Sequence, residues 1–153
     1  MKQVLFTQEG FNQIKKELGK LQQARPAAVL DLQKAREMGD LSENGYYKAS
    51  RAKLSSIDAQ VRKLRYIVQY AKVVQPSSVD RIEVGSKVEL VLENQSVSYT
   101  IVGEYEADPK LGKISYLSPL GSALLQKRKG DTIFLNSPAG EKSYKISKIL
   151  PFP

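Results

Sequence analysis

Residues 38–45 read Met-Gly-Asp-Leu-Ser-Glu-Asn-Gly, and they separate two long segments that have helical periodicity. Gly39 suits the left-handed conformation in which helices commonly end. The connection is so short that the second segment must return antiparallel to the first. We therefore predict that residues 38–45 form the tip of a helical hairpin.

The segment before the tip carries a heptad seam, in which apolar residues recur at alternating steps of three and four. Its members are Phe11, Ile14, Leu18, Leu21, Arg25, Ala28, Leu32 and Ala35, and Arg25 is the charged exception. This spacing predicts a helix that packs against another helix. Thr7 is the predicted N-cap, and Pro26 predicts a kink because proline removes one helical hydrogen bond.

The segment after the tip carries a matching seam. Its members are Tyr47, Ser50, Leu54, Ile57, Val61, Leu64, Val68 and Ala71. Two seams of similar length predict an antiparallel coiled-coil hairpin. Helices of roughly 30 residues are about 45 Å long at 1.5 Å per residue, so we expect the tip to stand far from any globular domain.

The second half has the pattern of a small β-rich domain, and the Pro-Ser-Ser sequence at 76–78 separates it from the hairpin. Period-two alternation and apolar runs predict strands at 88–92, 97–101, 114–117, 132–135 and 143–149. Residues 121–126 predict one short helix. The predicted fold class is α+β, with a hairpin domain at 1–75 and a domain with a twisted antiparallel sheet at 76–153.

The composition excludes several classes of protein. The 153 residues include no Cys and no His, so the chain cannot hold a Ser-His-Asp triad, a Cys nucleophile or a His-containing zinc site. It has no disulfide framework, no signal-peptide core and no apolar run near the roughly 20 residues that span a bilayer. We therefore expect a cytoplasmic protein with no membrane partner.

The formal net charge of +8 is concentrated in the first half. Residues 1–75 hold 14 Lys and Arg against 7 Asp and Glu, whereas residues 76–153 hold 10 against 9. The basic residues near the tip are Lys34, Arg36, Lys48, Arg51 and Lys53. They form either a solvated helix surface or a set that guides the hairpin along nucleic-acid phosphates. Tyr47 lies on the seam, whereas Tyr46 lies off it and could contact a partner.

Asp40 and Glu43 are two acids spaced i, i+3 at the tip. One interpretation is a capping box, because this spacing at a helix start satisfies backbone amides. The other is that the carboxylates bind Mg²⁺. Two carboxylates fill only part of an octahedral shell, so a partner would have to complete it. The residues alone leave both interpretations open.

The stretch at 35–44, Ala-Arg-Glu-Met-Gly-Asp-Leu-Ser-Glu-Asn, closely resembles the hairpin-tip signature of the bacterial Gre family of transcript cleavage factors. The resemblance covers nearly the whole chain and continues at 5–10, 25–26, 44–51, 101–103, 106–109, 112–115, 118–121, 123–125, 130–131 and 138–140. The Glu-Ala-Asp-Pro sequence at 106–109 is more similar to the GreA branch than to the GreB branch.

The resemblance implies a C-terminal domain with an FKBP-like fold that docks on bacterial RNA polymerase, and a coiled coil that enters the secondary channel. It implies that Asp40 and Glu43 help to hold an Mg²⁺ ion shared with the polymerase, which then cleaves the 3′ end of the nascent, backtracked RNA. In that function the chain is not an enzyme but stimulates the polymerase's own activity. We expect it to be a monomer.

Further residue roles also follow from the resemblance. The expected contacts with RNA or the tip's surroundings are Arg36, Asn44, Tyr46, Lys48 and Arg51, and the expected polymerase-docking residues are Asp108, Ser118 and Pro119. The chain departs from the family pattern at Tyr46, where Glu is usual, and at Ser122, where Arg or Lys is frequent. The first departure removes one negative charge from the tip.

Three alternatives compete with a cleavage factor. The first is a channel-binding inhibitor of the polymerase, against which the intact Asp40 and Glu43 argue. The second is a peptidyl-prolyl isomerase with a helical arm, although the second half shows no obvious aromatic-lined pocket in its sequence. The third is a coiled-coil adaptor whose tip acids only cap a helix. Zinc-containing channel regulators with a similar arm do not fit a chain without Cys.

Overall fold

The structure, a computed structural model, describes residues 2–39 and 43–151. The chain divides into two compact units. One consists of Met1–Phe11 together with Ala71–Pro153 and is called the sheet unit below, and the other is Asn12–Tyr70, the hairpin unit. Among the described residues, no helix combines the length and the apolar character needed to cross a membrane.

The hairpin unit is built from α1 (Gln8–Arg36) and α2 (Gly45–Gln69). Its best-packed cluster consists of Ala28, Ile57 and Val61, and three partly buried leucines pack against them, namely Leu18, Leu21 and Leu54. All six residues belong to the two predicted seams, so the antiparallel helical hairpin is confirmed. α1 continues through Pro26 without a break in its helical assignment, and the kink there stays a prediction.

The end of α2 differs from the prediction. The seam was expected to continue through Val68 and Ala71, but Ile67 is the buried residue, at 1% exposure, and α2 ends at Gln69. A straight helix has 3.6 residues per turn, so a 3.5-residue seam drifts to a neighbouring position over several turns. Ala71 instead begins a strand.

Two short strands at the ends of the hairpin were not predicted. β1 (Val4–Phe6) pairs in parallel with β2 (Ala71–Val73), with Val4 opposite Ala71 and Phe6 opposite Val73. Parallel neighbours need a long crossover connection, and here that connection is the whole hairpin. Three-residue strands show no usable alternation, which is why the sequence pattern missed them.

The sheet unit also contains a five-stranded sheet and a short helix. Its strands are β3 (Lys87–Leu92), β4 (Gln95–Val102), β5 (Lys113–Ser115), β6 (Thr132–Ser137) and β7 (Gly140–Leu150), in the order β5-β4-β3-β7-β6. The helix is α3 (Pro119–Leu124), which starts earlier than the predicted 121–126. The core consists of Ile82, Val88, Leu90, Ile101, Leu124, Ile133, Tyr144 and Ile146. These elements confirm the predicted α+β class, although the β4–β5 pair is parallel, so the sheet is mixed rather than antiparallel.

The start of α1 is tied to the sheet unit by a carboxylate. Thr7 is the N-cap as predicted, since the Gly10 amide donates to its hydroxyl oxygen at 3.1 Å. Glu106 accepts a hydrogen bond from the Thr7 hydroxyl, a second from the Thr7 amide at 2.9 Å and a third from the Gly103 amide at 2.9 Å. These bonds and the β1–β2 pair explain why residues 1–11 and 71–75 belong to the sheet unit, whereas the sequence assigned them to the hairpin domain.

Candidate functional site

The tip begins where α1 ends. The Glu37 amide donates to the Gln33 carbonyl at 3.2 Å, and the Met38 amide donates to the Ala35 carbonyl at 3.2 Å in a tighter turn. Gly39 follows with a φ of +103°, a conformation that side chains with a Cβ rarely adopt. The predicted positive φ of Gly39 is therefore confirmed, although α1 ends three residues earlier, at Arg36.

Asn44 joins the end of α1 to the start of α2. Its side-chain oxygen accepts from the Tyr47 amide at 3.0 Å, which makes Asn44 the N-cap of α2. Its side-chain nitrogen donates to the Ala35 carbonyl at 3.2 Å. An amide side chain can donate and accept at the same time, so one residue satisfies unpaired backbone groups at both helix ends.

The position of the Asn44 cap shows that Glu43 does not belong to a capping box of α2. A capping box would place its acid at the third helical position, but in α2 that position is Tyr47, and the first turn holds no acid. Glu43 precedes the cap, is exposed, and makes no hydrogen bond or ion pair that involves another described residue. Among the described residues, its carboxylate therefore has no structural partner.

The other predicted tip acid, Asp40, lies outside the described residues, as do Leu41 and Ser42. Within the described ranges, no group of three or more His, Cys, Asp or Glu side chains forms a cluster that could hold a metal ion. Carboxylate oxygens are nonetheless the donors that Mg²⁺ prefers. The tip thus offers the right ligand chemistry for part of a coordination shell.

The basic residues predicted at the tip are solvent-accessible. Arg36 is the last residue of α1 and is exposed, and so are Lys48 and Arg51 on α2. Lys48 and Arg51 are three residues apart and hence lie on one side of the helix. Tyr46 is 43% exposed, whereas Tyr47 is half-buried, as its seam position predicts. Contact of these residues with RNA stays a prediction.

The three predicted docking residues of the sheet unit have local structural roles. Asp108 accepts from the Lys110 amide at 3.2 Å and so caps a short 3-10 turn, Pro109–Leu111. Ser118 accepts from the Gly121 amide at 3.0 Å and donates to the Ser115 carbonyl at 2.7 Å. Pro119 is the first residue of α3. These bonds fix the shape of the two turns, and docking itself stays a prediction.

The sequence analysis missed an ion pair that links the two helices. The Arg25 Nε lies 2.6 Å from one carboxylate oxygen of Asp58, and its Nη2 lies 3.3 Å from the other. The hydrogen bond from Arg25 lowers the pKa of Asp58, and the same bond raises the pKa of Arg25. The signal was present, because Arg25 is the charged residue of the first seam and needs an acid on the facing helix.

Comparison with known proteins identifies relatives along the whole chain. The sequence profile described as "Transcription elongation factor, N-terminal", of GreA/GreB, matches residues 4–73, and the profile "Transcription elongation factor, GreA/GreB, C-term" matches residues 75–151. This chain is similar to bacterial proteins named "Transcription elongation factor GreA". The one from a Nitratiruptor species is 37% identical over 94% of this chain and 91% of its own length.

The other two relatives extend the match. The protein of Acidiphilium cryptum is 38% identical over 95% of this chain and 96% of its own length, and that of Paracoccus denitrificans is 39% identical over 97% and 98%. Among solved structures, GreA factor homolog 1 of Thermus thermophilus is 27% identical, covers 98% of this chain and 100% of its own, and has a TM-score of 0.46.

Proposed function

The chain belongs to the GreA/GreB family of transcription elongation factors, and we propose that it stimulates cleavage of the 3′ end of backtracked RNA by RNA polymerase. In this proposal the hairpin enters the secondary channel of the polymerase and brings Asp40 and Glu43 to its active site. The phosphodiester chemistry belongs to the polymerase, and the chain supplies ligands and contacts.

The observation that carries the proposal is the position of the helix cap. Asn44 caps α2, so Glu43 is not needed to satisfy the backbone and keeps an exposed carboxylate. A carboxylate just before α2 also interacts favourably with the positive end of that helix, but this interaction leaves its oxygens exposed. Such a carboxylate suits a metal site that a second protein completes.

The proposed metal is Mg²⁺, held jointly with the polymerase. Asp40 and Glu43 would provide two carboxylate ligands, and the remaining positions of the octahedron would come from the polymerase, the RNA and water. An ion held by Asp40 and Glu43 would supply Lewis-acid chemistry there, namely activation of water and stabilisation of the leaving oxygen. Around it, Arg36, Asn44, Tyr46, Lys48 and Arg51 would contact the RNA or the channel.

The sheet unit would hold the factor on the polymerase. The proposed docking residues are Asp108, Ser118 and Pro119, which lie in two turns whose backbone is fixed by capping hydrogen bonds. A preformed turn binds without the entropic cost of ordering a flexible loop, which favours a stable complex. We expect one copy of the chain to act on one polymerase.

The test uses backtracked elongation complexes that carry 3′-labelled RNA. The wild type should shorten the RNA in a Mg²⁺-dependent manner, whereas Asp40→Asn and Glu43→Gln should each reduce the rate about 100-fold or more, because metal ligands act as a unit. Glu37→Gln is the matched control, since Glu37 is another exposed acid at the same end of the hairpin. It should cleave at the wild-type rate.

The remaining outcomes separate the alternatives. Equal cleavage by the wild type and both tip variants would exclude the ligand role. Loss of cleavage in Glu37→Gln to the same extent would point to net charge rather than coordination. A wild type that binds the polymerase and slows synthesis without cleavage would be a channel-binding inhibitor.

A further inference from the structure

A charged groove lies on the flank of the hairpin, away from the tip. It has a volume of about 560 Å³ and is lined by Gln22, Arg25, Asp58, Val61, Arg62 and Arg65. All six residues belong to the hairpin unit. The tip chemistry does not use them, so this arginine groove needs its own explanation.

The groove keeps two cationic groups available. Arg25 is paired with Asp58 through two hydrogen bonds, so these two charges offset each other. Arg62 and Arg65 are exposed, and neither forms an ion pair with a residue in the ranges 2–39 and 43–151. The groove therefore presents a net positive charge to an anionic partner.

An exposed tyrosine follows Arg65 directly on α2, although it does not line the groove. Asp58, Arg62, Arg65 and Tyr66 follow one another at steps of four, three and one, so they share one side of α2. Tyr66 is 56% exposed, and its ring lies 4.7 Å from the ring of Tyr70. Arg and Tyr are the residues most enriched at the energetic centres of protein–protein interfaces.

The groove also lies well back from the tip. At 1.5 Å per residue, Asp58 is about 20 Å and Arg65 about 30 Å along α2 from its first residue. The next inference rests on the proposed function. When the tip reaches the 3′ end of the RNA, the groove lies farther back in the channel, where protein surrounds it. We propose that the arginine groove binds an acidic segment of RNA polymerase through its Asp or Glu side chains.

An acidic protein segment fits the groove better than a nucleic acid strand. Asp58 stays ionised over a wide pH range, because the hydrogen bond from Arg25 lowers its pKa. A nucleic acid strand carries a negative charge about every 3.4 Å and would have to pass this carboxylate. Separate carboxylates can instead meet Arg62 and Arg65 one at a time, and a guanidinium binds a carboxylate through two parallel hydrogen bonds.

The first test measures binding to polymerase. The double variant Arg62→Glu with Arg65→Glu should bind RNA polymerase about tenfold or more weakly than the wild type, and its affinity should depend less on salt. Arg62→Lys with Arg65→Lys keeps the charges but loses the bidentate geometry, so its affinity should be intermediate. Fluorescence anisotropy of a labelled chain, repeated at several salt concentrations, gives these values.

The matched control is Lys20→Glu. Lys20 is an exposed residue of α1, two positions from Gln22 and therefore on the other side of the helix, at about the same level. It changes the net charge as much as one arginine replacement does, and half as much as the double glutamate variant does. It should leave the affinity within about twofold of the wild type. An equal loss of affinity for RNA polymerase in Lys20→Glu and in the arginine variants would overturn the proposal that binding is localised in the groove.

The second test identifies the partner class. A photo-crosslinking amino acid in place of Arg65 should attach to an acidic segment of a polymerase subunit in an elongation complex with labelled RNA. Attachment to the RNA instead would overturn the proposal, and so would wild-type affinity of the double glutamate variant. Cleavage by the wild type is assayed separately, so a failure of the cleavage function and a failure of the groove give different results.

Discussion

Glu106 binds both the backbone amide and the hydroxyl of Thr7, a residue 99 positions earlier in the chain. The same hydroxyl oxygen accepts from the Gly10 amide and so caps α1. One carboxylate therefore orders the residue from which the first helix starts. Because Thr7 is 8% exposed, water competes little for these bonds.

Replacement of Glu106 should destabilise the sheet unit. Glu106→Ala removes three acceptor contacts and should lower the free energy of unfolding by about 2 kcal/mol, as expected when a charged partner is lost. Glu106→Gln keeps an acceptor for the two amides and should cost less. Urea unfolding followed by circular dichroism measures both. Glu104→Ala, an exposed acid of the same short turn, should change little, and a similar loss there would contradict the assignment.

Three glycines should respond differently to alanine. A Cβ at Gly103 would lie 1.9 Å from the Leu5 carbonyl oxygen, and backbone cannot move away easily, so Gly103→Ala should cost about 1–3 kcal/mol. A Cβ at Gly10 would lie 1.8 Å from a carboxylate oxygen of Glu106, and moving that side chain would break its bonds to Thr7 and Gly103, so Gly10→Ala should also destabilise. Gly19 has open space and lies inside α1, so Gly19→Ala should stabilise by about 0.5–1 kcal/mol. A denaturation midpoint that is lowest for Gly19→Ala and highest for Gly103→Ala would contradict these contacts.

Asn44 should stabilise the tip through two separable bonds. Asn44→Ala loses the cap and the bond to Ala35, and it should cost about 1–2 kcal/mol. Asn44→Asp keeps an acceptor for the Tyr47 amide but has no donor for the Ala35 carbonyl. Amide hydrogen exchange should therefore show faster exchange at the start of α2 in Asn44→Ala but not in Asn44→Asp. Equal protection in all three proteins would refute the cap.

The Arg25–Asp58 pair should make the hairpin sensitive to acid. The pKa of Asp58 is lowered in the folded state from its ordinary value of 3.8 by the hydrogen bond from Arg25. The stabilisation is therefore fully present above the unfolded pKa, near 4, and is lost as the pH falls through the lowered folded value. Below pH 4, the free energy of unfolding should therefore fall less steeply with decreasing pH in Asp58→Asn and in Arg25→Gln than in the wild type.

A double-mutant cycle at pH 7 and pH 3 measures this effect. Glu83, whose pKa is lowered by the backbone amide and then the hydroxyl of Ser77, contributes in the same direction. Its contribution is present in every variant and cancels in the differences. A coupling between Arg25 and Asp58 that is the same at both pH values would contradict the prediction.

Tyr46 should weaken the tip's affinity for metal. It stands in the first turn of α2 and is exposed, three residues after the proposed metal ligand Glu43 in the sequence. Tyr46→Glu adds a charge that both a cation and the positive end of the helix favour, so half-maximal cleavage should need several-fold less Mg²⁺. Tyr46→Gln controls for loss of the ring. An unchanged Mg²⁺ requirement in Tyr46→Glu would place this side chain away from the ion.

Much of the fold could be predicted because its elements have local periodicity. The seams located Leu18, Leu54 and Val61 in the hairpin core, and Gly39 located the end of the first helix to within three residues. β1 and β2 could not be predicted, since their pairing joins residues far apart in the chain and each has only three residues. Long-range pairing of this kind overrides weak local preference.

The residue at which α2 begins could not be predicted from the sequence of the tip. Asp40 and Asn44 can both cap a helix, and the sequence does not say at which residue α2 begins. The structure starts α2 at Gly45, which makes Asn44 the cap and leaves Glu43 outside the helix. Glu106 shows the same limitation, because its partner Thr7 is distant in sequence and a lone Glu gives no signal.

The strands β1 and β2 begin and end the hairpin side by side, with Phe6 opposite Val73. Heptads can therefore be added to or removed from both helices as matched pairs while both ends stay where they are. Each pair changes the hairpin length by about 10 Å, which is seven residues at 1.5 Å per residue. In the proposed function, the depth that the hairpin reaches is thus an evolvable dimension that can change without a change in the sheet.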